Sequence, residues 1–485
     1  MFLAIMRAVS RNKTVARIPR CALAGLGLAA TVLLSSTAQA QMSGDNPRAV
    51  TYTDYPGIRG KVAPLQWSEM PKWMTVDFYL RGRLESQSSD DYISGNEQTY
   101  VLTRVWGGLQ IRPTPWLTGY IQFIDTHAPG EPAKYAASNM RDTFDDRQAF
   151  LDFHKTFDKV PVTIIAGRQE LRYGNERLVG ISDWTNNSRT WDGFVGRLGD
   201  KNRLDLFATS VVTVHPTSLD KHGAGLTFFG AVGTITTWVP RTVIQPFVYV
   251  KAFPRVEGLQ STYGTETEVT PGGEVSGTYR GGFNFDVLGA LQRGSYSNDS
   301  IRSAAGIVKA GYTSQKVYWK PRLLGEYDYA SGNPHTDPTR IGTFDQQYPS
   351  NHNAFGLTDL FGFQNIKQER INLDLTPTKP LTLLIQQEWL QASSTMDNIY
   401  ASAGTVTVTA PVGGFRSDDI GHEFDISGKY VIHEDWVINA GVGHFSPGAL
   451  MQQNAHGAPL TISYLSLTYR FKVNHSKATD SDSGQ

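Results

Sequence analysis

Cysteine is almost missing from this chain: of 485 residues only Cys21 carries a thiol. It falls in an apolar N-terminal stretch that reads as a removable export signal, so the exported chain needs no disulfide framework. Long hydrophobic runs are missing as well. No window of about 18 consecutive apolar residues follows Gln41, which excludes a protein that crosses a membrane on helices. Nucleophile-elbow (GxSxG), HExxH and Walker motifs are absent, so the usual hydrolase, zinc and nucleotide chemistries have no carrier and no enzyme is expected. Neither sign of charge dominates, with 45 Lys+Arg against 45 Asp+Glu. Without residues 1–40, which hold five basic and no acidic residues, the balance is 40 to 45. A mildly acidic chain lacks the basic stripe of a nucleic-acid binder. No cofactor is indicated. Asp142, Asp145 and Asp146 have the hard oxygens that calcium prefers, but no glycine turn or closing ligand follows, so they read as a solvated acidic loop and no metal site is expected.

Compartment is written at the N-terminus. Arg7, Arg11, Lys13, Arg17 and Arg20 form a basic region, Cys21 to Leu34 an apolar one, and Ala38-Gln39-Ala40 a small-residue cleavage site. Together these are the three parts of a secretory signal peptide, expected to span 1–40. Residues 41–74, polar and proline-containing, read as a periplasmic extension.

Alternation fills most of the remaining chain. Phe78, Leu80 and Leu84 share one strand face while Asp77, Arg81, Arg83 and Glu85 share the other. The pattern returns with Arg280, Asn284, Asp286 and Gln292 opposite Phe283, Phe285, Val287 and Leu291. It recurs with Gln368, Arg370, Asn372 and Asp374 opposite Ile371, Leu373 and Leu375, and with Glu423, Asp425 and Lys429 opposite Phe424, Ile426 and Tyr430. Apolar-out, polar-in alternation over many strands is the signature of a transmembrane β-barrel. About eighteen strands fit between residues 75 and 472, the segment 259–269 being included because bacterial barrels have an even strand count. Short turns at 112–115, 199–202, 376–380 and 433–435 then fall on the periplasmic side. Long connections near 86–99, 127–146, 173–189, 331–365, 393–418 and 446–460 fall outside the cell. A soluble β-sandwich is the competing fold, disfavoured because a single sandwich runs to about 100 residues and no linker divides this chain.

Aromatics agree with the membrane reading. Trp116, Phe247, Tyr327, Tyr329, Trp389, Trp436 and Tyr464 lie near proposed strand ends or on apolar faces, where girdles meet lipid headgroups. The last strand, Tyr464 to Phe471, alternates and ends on an aromatic, the form read by the barrel-assembly machinery. A polar tail, 473–485, follows it.

The run Ala166 to Val195, AGRQELRYGNERLVGISDWTNNSRTWDGFV, packs charge and amides around glycine and tryptophan. Period-two alternation sets Thr163, Ile165 and Gly167 on one face and Arg168, Glu170 and Arg172 on the other, the polar face being assigned to the lumen. Other pieces are Arg147-Gln148-Ala149-Phe150-Leu151-Asp152, Ala290 to Ser295, Glu326 to Gly332, and the stretch from Ile341 through Pro349-Ser350-Asn351-His352 to Gly362. In this order and spacing the chain resembles the alginate export family, outer-membrane β-barrels that pass anionic polysaccharide. The resemblance implies a monomeric, eighteen-stranded barrel with a basic constriction, surrounded by outer-membrane lipid and lipopolysaccharide. Within the matched signature stand Arg168, Arg177, Asp183, Trp184 and Asp192.

Candidate lumen residues are Arg81, Arg83, Arg104, Arg168, Glu170, Arg172, Arg280, Asp286, Arg322, Glu326, Arg370, Asp374 and Arg470. Guanidinium groups never deprotonate and pair carboxylates in a fork, which suits a constriction for anions. Acids interleave with them, in contrast to the strongly arginine-rich lumen of the better-known exporter, so two roles stay open for each arginine: selectivity or cross-lumen strut. The expected function is an outer-membrane channel for anionic or polar solutes, anionic polysaccharide such as alginate among them. A substrate-specific uptake porin and a barrel-anchored receptor or adhesin are the alternatives.

Overall fold

The computed structural model describes residues 65–67, 70–131, 140–223, 225–352 and 354–475. The expected signal peptide, most of the expected 41–74 extension and most of the expected tail lie outside the described residues. Eighteen long strands make the wall. In chain order they are β1 Met74–Gln87, β2 Gln98–Thr114, β3 Leu117–His127, β4 Asp142–Phe157, β5 Val160–Gln169 and β6 Trp191–Gly199. Then come β7 Asn202–Val211, β8 Phe228–Ile235, β9 Thr242–Glu257, β10 Tyr263–Thr278, β11 Phe283–Tyr296 and β12 Asp299–Thr313. The wall ends with β13 Arg322–Ala330, β14 Ile366–Thr378, β15 Leu381–Ala392, β16 Asp419–His433, β17 Trp436–Pro447 and β18 Leu460–His475. Each strand pairs antiparallel with the next, and β1 pairs with β18 from Thr75↔Asn474 to Gln87↔Ile462, which closes the barrel and leaves no long edge. Two short strands, 65–67 and 340–341, add in parallel to β18 and β12.

Pleating sorts the residues as alternation predicts. On β1, Asp77, Arg81, Arg83 and Glu85 are buried inside, while Leu80 and Leu84 are exposed on the outer face. Val101, Phe194, Val287, Ile371, Ile426 and Leu467 continue the exposed apolar band around the barrel. Trp116, Tyr327, Tyr329, Trp389 and Trp436 stand on that outer face too. Phe247 and Tyr464 do not: both are buried inside, Phe247 stacked on Tyr249 and Tyr464 edge-on to Trp184.

Both described chain ends lie at the end of the barrel that carries the short turns. Most connections at the other end are longer, the largest being 170–190, 331–365 and 393–418, although β11 and β12 are joined there by a tight turn at 297–298. Strand β10 starts later and runs further than 259–269. It passes straight through Pro271-Gly272-Gly273, composition that reads as a break. Pairing with β11 lapses at Thr270 and Pro271, where proline has no N–H to give, and resumes at Gly272↔Ala290.

Candidate functional site

The connection after β5 leaves the wall and crosses the bore. Leu171, Leu178, Val179 and Ile181 are buried within it, in one cluster with Phe344, Phe355, Phe361 and Phe363 of the 331–365 connection. Four buried aliphatics would be costly on a solvated loop; packed inside the barrel they remove apolar surface from water and hold the segment in place. Gly174 has φ +57°, and a Cβ there would collide with the Glu274 carboxylate on β10. Glycine therefore lets the backbone pass close to the wall.

Polar ties fix this crossing segment at two sides of the wall. On one side Asn175 donates to Asp286 of β11 at 3.0 Å, and Arg177 to Glu326 and Asp328 of β13 at 2.5 and 2.8 Å. Around the ring, arginines of the first strands hold its other half. Arg81 donates to the Asp183 carbonyl at 3.1 Å, Arg83 to that of Trp184 at 2.7 Å, and Arg104 to that of Asn186 at 2.7 Å. Arg104 also meets the Asp183 carboxylate at 2.8 Å, and Arg147 of β4 donates to Ser188 at 2.9 Å. In a closed ring of eighteen strands, β1 and β2 face β10 and β11, so residues 175–186 span the bore as a tie-bar.

The 331–365 connection locks onto that bar. Tyr348 donates its N–H to the Leu178 carbonyl at 2.8 Å and accepts from Gly180 N–H at 2.8 Å. His352 stacks on Trp184 at 3.6 Å, and the Arg83 guanidinium lies over the same indole at 3.6 Å. Its far end meets an acidic part of the wall, where Leu357 and Thr358 N–H groups donate to Asp425 and Glu423 at 3.2 and 2.9 Å. Inner-wall charge is thus uneven. On β1–β4, Arg81, Arg83, Arg104 and Arg147 stand with Asp77, Glu85, Asp142 and Asp145, whereas on β10–β16 Glu268, Glu274, Asp286, Glu326, Asp328, Glu388, Glu423 and Asp425 outnumber Lys309, Arg322 and Arg370.

The sequence profile described as alginate export matches residues 72–459, most of the chain. The chain belongs to the alginate export family. No curated protein matches its sequence significantly. Its fold is similar to that of solved outer-membrane channels. Pseudomonas aeruginosa OccD3 (OpdP) superposes with a TM-score of 0.55 at 10% identity, covering 89% of this chain and 99% of that one. Acinetobacter baumannii OccAB2 gives 0.54 at 9%, covering 83% and 100%. Pseudomonas aeruginosa OpdK with vanillate gives 0.53 at 11%, covering 82% and 98%. Family and fold together make this an outer-membrane β-barrel channel for solute export or uptake.

The family signature at 166–195 is therefore the tie-bar with its two flanking strands. Arg177, Asp183 and Trp184 act as ties inside the barrel. Arg168 and Asp192 do not face the lumen. They oppose each other in register on the outer face, paired at 2.9 Å, where Ile164 and Phe194 are also exposed. Ile165 is buried inward instead, at 1% exposure, against the apolar tie-bar. Strand β5 is apolar on both faces because the lumen beside it is filled, so alternation alone gave the wrong phase. Arg280 is also misplaced: β10 ends at Thr278 and β11 begins at Phe283, leaving it exposed in a turn.

The other candidates face inward. Glu170 pairs with Arg147 at 2.5 Å and with Arg172 at 2.8 Å, just beyond the end of β5 rather than on it. Arg322 pairs with Asp374 at 3.0 Å, Arg370 with Glu326, and Asp286 lies 3.9 Å from Lys309. Arg470 stands beside Tyr79 near the turn end. Sequence reasoning missed Arg147, Glu268, Glu274 and Asp328 as inner-wall partners. Of the three aspartates weighed for calcium, Asp142 and Asp145 meet Asp220, not Asp146, with carboxylate oxygens within 4.8 Å. Asp146 turns to Arg168 at 3.4 Å.

Proposed function

We propose that this channel passes polar, saccharide-like solutes that carry carboxylates, with an anionic polysaccharide as the leading passenger and export as its direction. The four inward arginines of β1–β4, set across the bore from a predominantly acidic arc on β10–β16, support this reading. Low-dielectric walls focus the field between such arcs. A solute carboxylate is drawn toward the arginines while its hydroxyls donate to the acids, so a sugar acid is oriented as it moves. Contacts are weak and repeated, which lets a charged chain enter without being trapped. With an export family and channel folds as its likenesses, the chain is read as a channel without enzymatic activity. By the rule for outer-membrane barrels, the turn end with both described chain ends is periplasmic and the loop end exterior.

Block of ion current tests the passenger. In a planar bilayer, short oligouronates should interrupt the current in a concentration-dependent manner, and neutral oligosaccharides of the same length should do so at least about tenfold less well, the effect of roughly one charge-assisted contact. Equal block by charged and neutral sugars would remove the carboxylate from the proposal. A second reading, uptake of small carboxylates, is favoured by the tie-bar, which narrows the bore. Liposome swelling that admits monomeric sugar acids but no oligomer would select it.

A further inference from the structure

The outer face of the wall carries a feature that lumen chemistry does not use. Arg293 of β11 and Arg302 of β12 are both exposed there and stand directly opposite each other in the antiparallel register. Like charges in that position repel and destabilise a sheet unless an anion lies between them. Arg340 is brought alongside by the parallel pairing Ser300↔Arg340, and its Nε is buried without a hydrogen-bond partner. Lys367 and Arg416 complete the lining of a recess of about 1010 Å³ at the loop end, where Asp418, 3.5 Å from Lys367, is the acid of the lining and Asp337 lies beside Arg340 and Arg302 at its margin, so five cations face two acids. Arg293 itself donates to the carbonyls of Gln292 and Ser303 at 2.6 and 3.3 Å, which holds its guanidinium in place over the sheet.

Toward the membrane midplane the recess continues into an apolar furrow of about 600 Å³, the two sharing Ala304 and Tyr329. Three glycines in register make the furrow: Gly273↔Gly289 and Gly289↔Gly306, with Gly306 opposite Tyr329. Elsewhere outward positions carry the leucines, valines and aromatics of the lipid-facing band, so their loss on three adjacent strands leaves a trough. Leu291 in its lining is two residues from Arg293, roughly 7 Å along the strand. A cationic recess at headgroup level above an acyl-wide trough has the shape and charge order of one lipid.

We propose that the loop-end outer face of β10–β14 binds a phosphorylated glycolipid of the outer leaflet, with phosphate between Arg293, Arg302 and Arg340 and an acyl chain in the glycine furrow. Lipid A has this chemistry: phosphates on a sugar headgroup, with acyl chains below. Each cation near a membrane surface contributes about fivefold in affinity. The site lies on the outer face, and its success or failure is independent of what passes through the lumen.

Native mass spectrometry of the full-length protein in detergent, titrated with bisphosphorylated lipid A, tests the site. Arg293→Gln/Arg302→Gln should weaken retention by roughly twenty-five-fold, about fivefold for each cation. Lipid A stripped of its phosphates should bind the wild type no better than intact lipid A binds that variant. Gly289→Leu fills the furrow, and since nothing lies within 4 Å of a Cβ at Gly289 the backbone need not move. It should lower lipid retention with the arginines intact. Heat-modifiable migration on gels checks that each variant still folds; lipid-free, the arginine variant should melt no lower than wild type because repulsion has been relieved. Equal retention by wild type and the arginine variant overturns the proposal. So does displacement of the lipid by inorganic phosphate or an oligouronate at matched concentration, which would make this a generic anion patch.

Discussion

Arginine does two different jobs in this barrel, and position in the pleat decides which. Arg104 is buried to 1% exposure, and its guanidinium donates to the Asp183 carboxylate and to the carbonyls of Asp183, Thr185 and Asn186. Several donors in one planar group suit it to tie a backbone, as a lysine point charge would not. It also stacks over Trp106, with 4.4 Å to the ring centroid. Arg168 is one strand position out of phase with that inner set and spends its charge on Asp192 and Asp146 at the outer surface. In a bilayer under a salt gradient, Arg168→Glu should therefore leave the reversal potential within a few millivolts of wild type. Arg83→Gln, on the inner face of β1, should shift it toward cations. A shift for Arg168→Glu as large as that for Arg83→Gln would put Arg168 back in the bore.

At the scale of elements, the wall was legible and the inward connections were not. Strands announce themselves by period two, and Asp77 to Glu85 sorted inside from outside without further information. Strand β5 failed because its neighbour inside the barrel is apolar, a tertiary fact that local alternation cannot report. The signal for an inward fold was present in Leu171, Leu178, Val179 and Ile181, too apolar for a loop in water. Pairing partners such as Glu274 and Asp328 were out of reach, since they depend on which strand lies across the ring. Two element-level outcomes check the layout. Thr336→Cys, on the exposed part of the 331–365 connection, should react with an impermeant maleimide on intact cells, while Thr378→Cys at the opposite end should not. Reversed labelling would invert the barrel. The 212–227 connection docks on β4, with Asp220 N–H donating to Asp145 at 2.5 Å. Burial, together with the nearby Asp145, pushes the Asp220 carboxyl up to about 6 from 3.8. A raised carboxyl pKa stabilises the docked form most below its ordinary value and loses that contribution as pH rises through about 6. Proteolysis of this connection should be slower at pH 5 than at pH 7.5. Equal rates would detach Asp220 from the docking.

As a whole molecule, the protein is a rigid hydrogen-bonded wall around a tied-in crossing segment, and the bore is set by the second. Closure of β1 on β18 secures the wall without help from the lumen. The tie-bar, by contrast, hangs on side-chain ties: the buried pairs of Arg177 with Glu326 and Asp328, and the bonds of Arg81, Arg83 and Arg104 to the carbonyls of 183–186. Removing one partner of such a pair strands a buried charge at a cost of about 3–5 kcal/mol. Undocking the bar lets those charges reach water while the barrel stays intact. Single-channel conductance of Arg104→Ala/Arg177→Ala, which removes the most heavily bonded tie from each anchored half, measures this most directly. The variant should keep the heat-modifiable migration of a folded barrel and conduct severalfold more current than wild type. A folded variant with wild-type conductance would show that residues 175–186 do not set the bore.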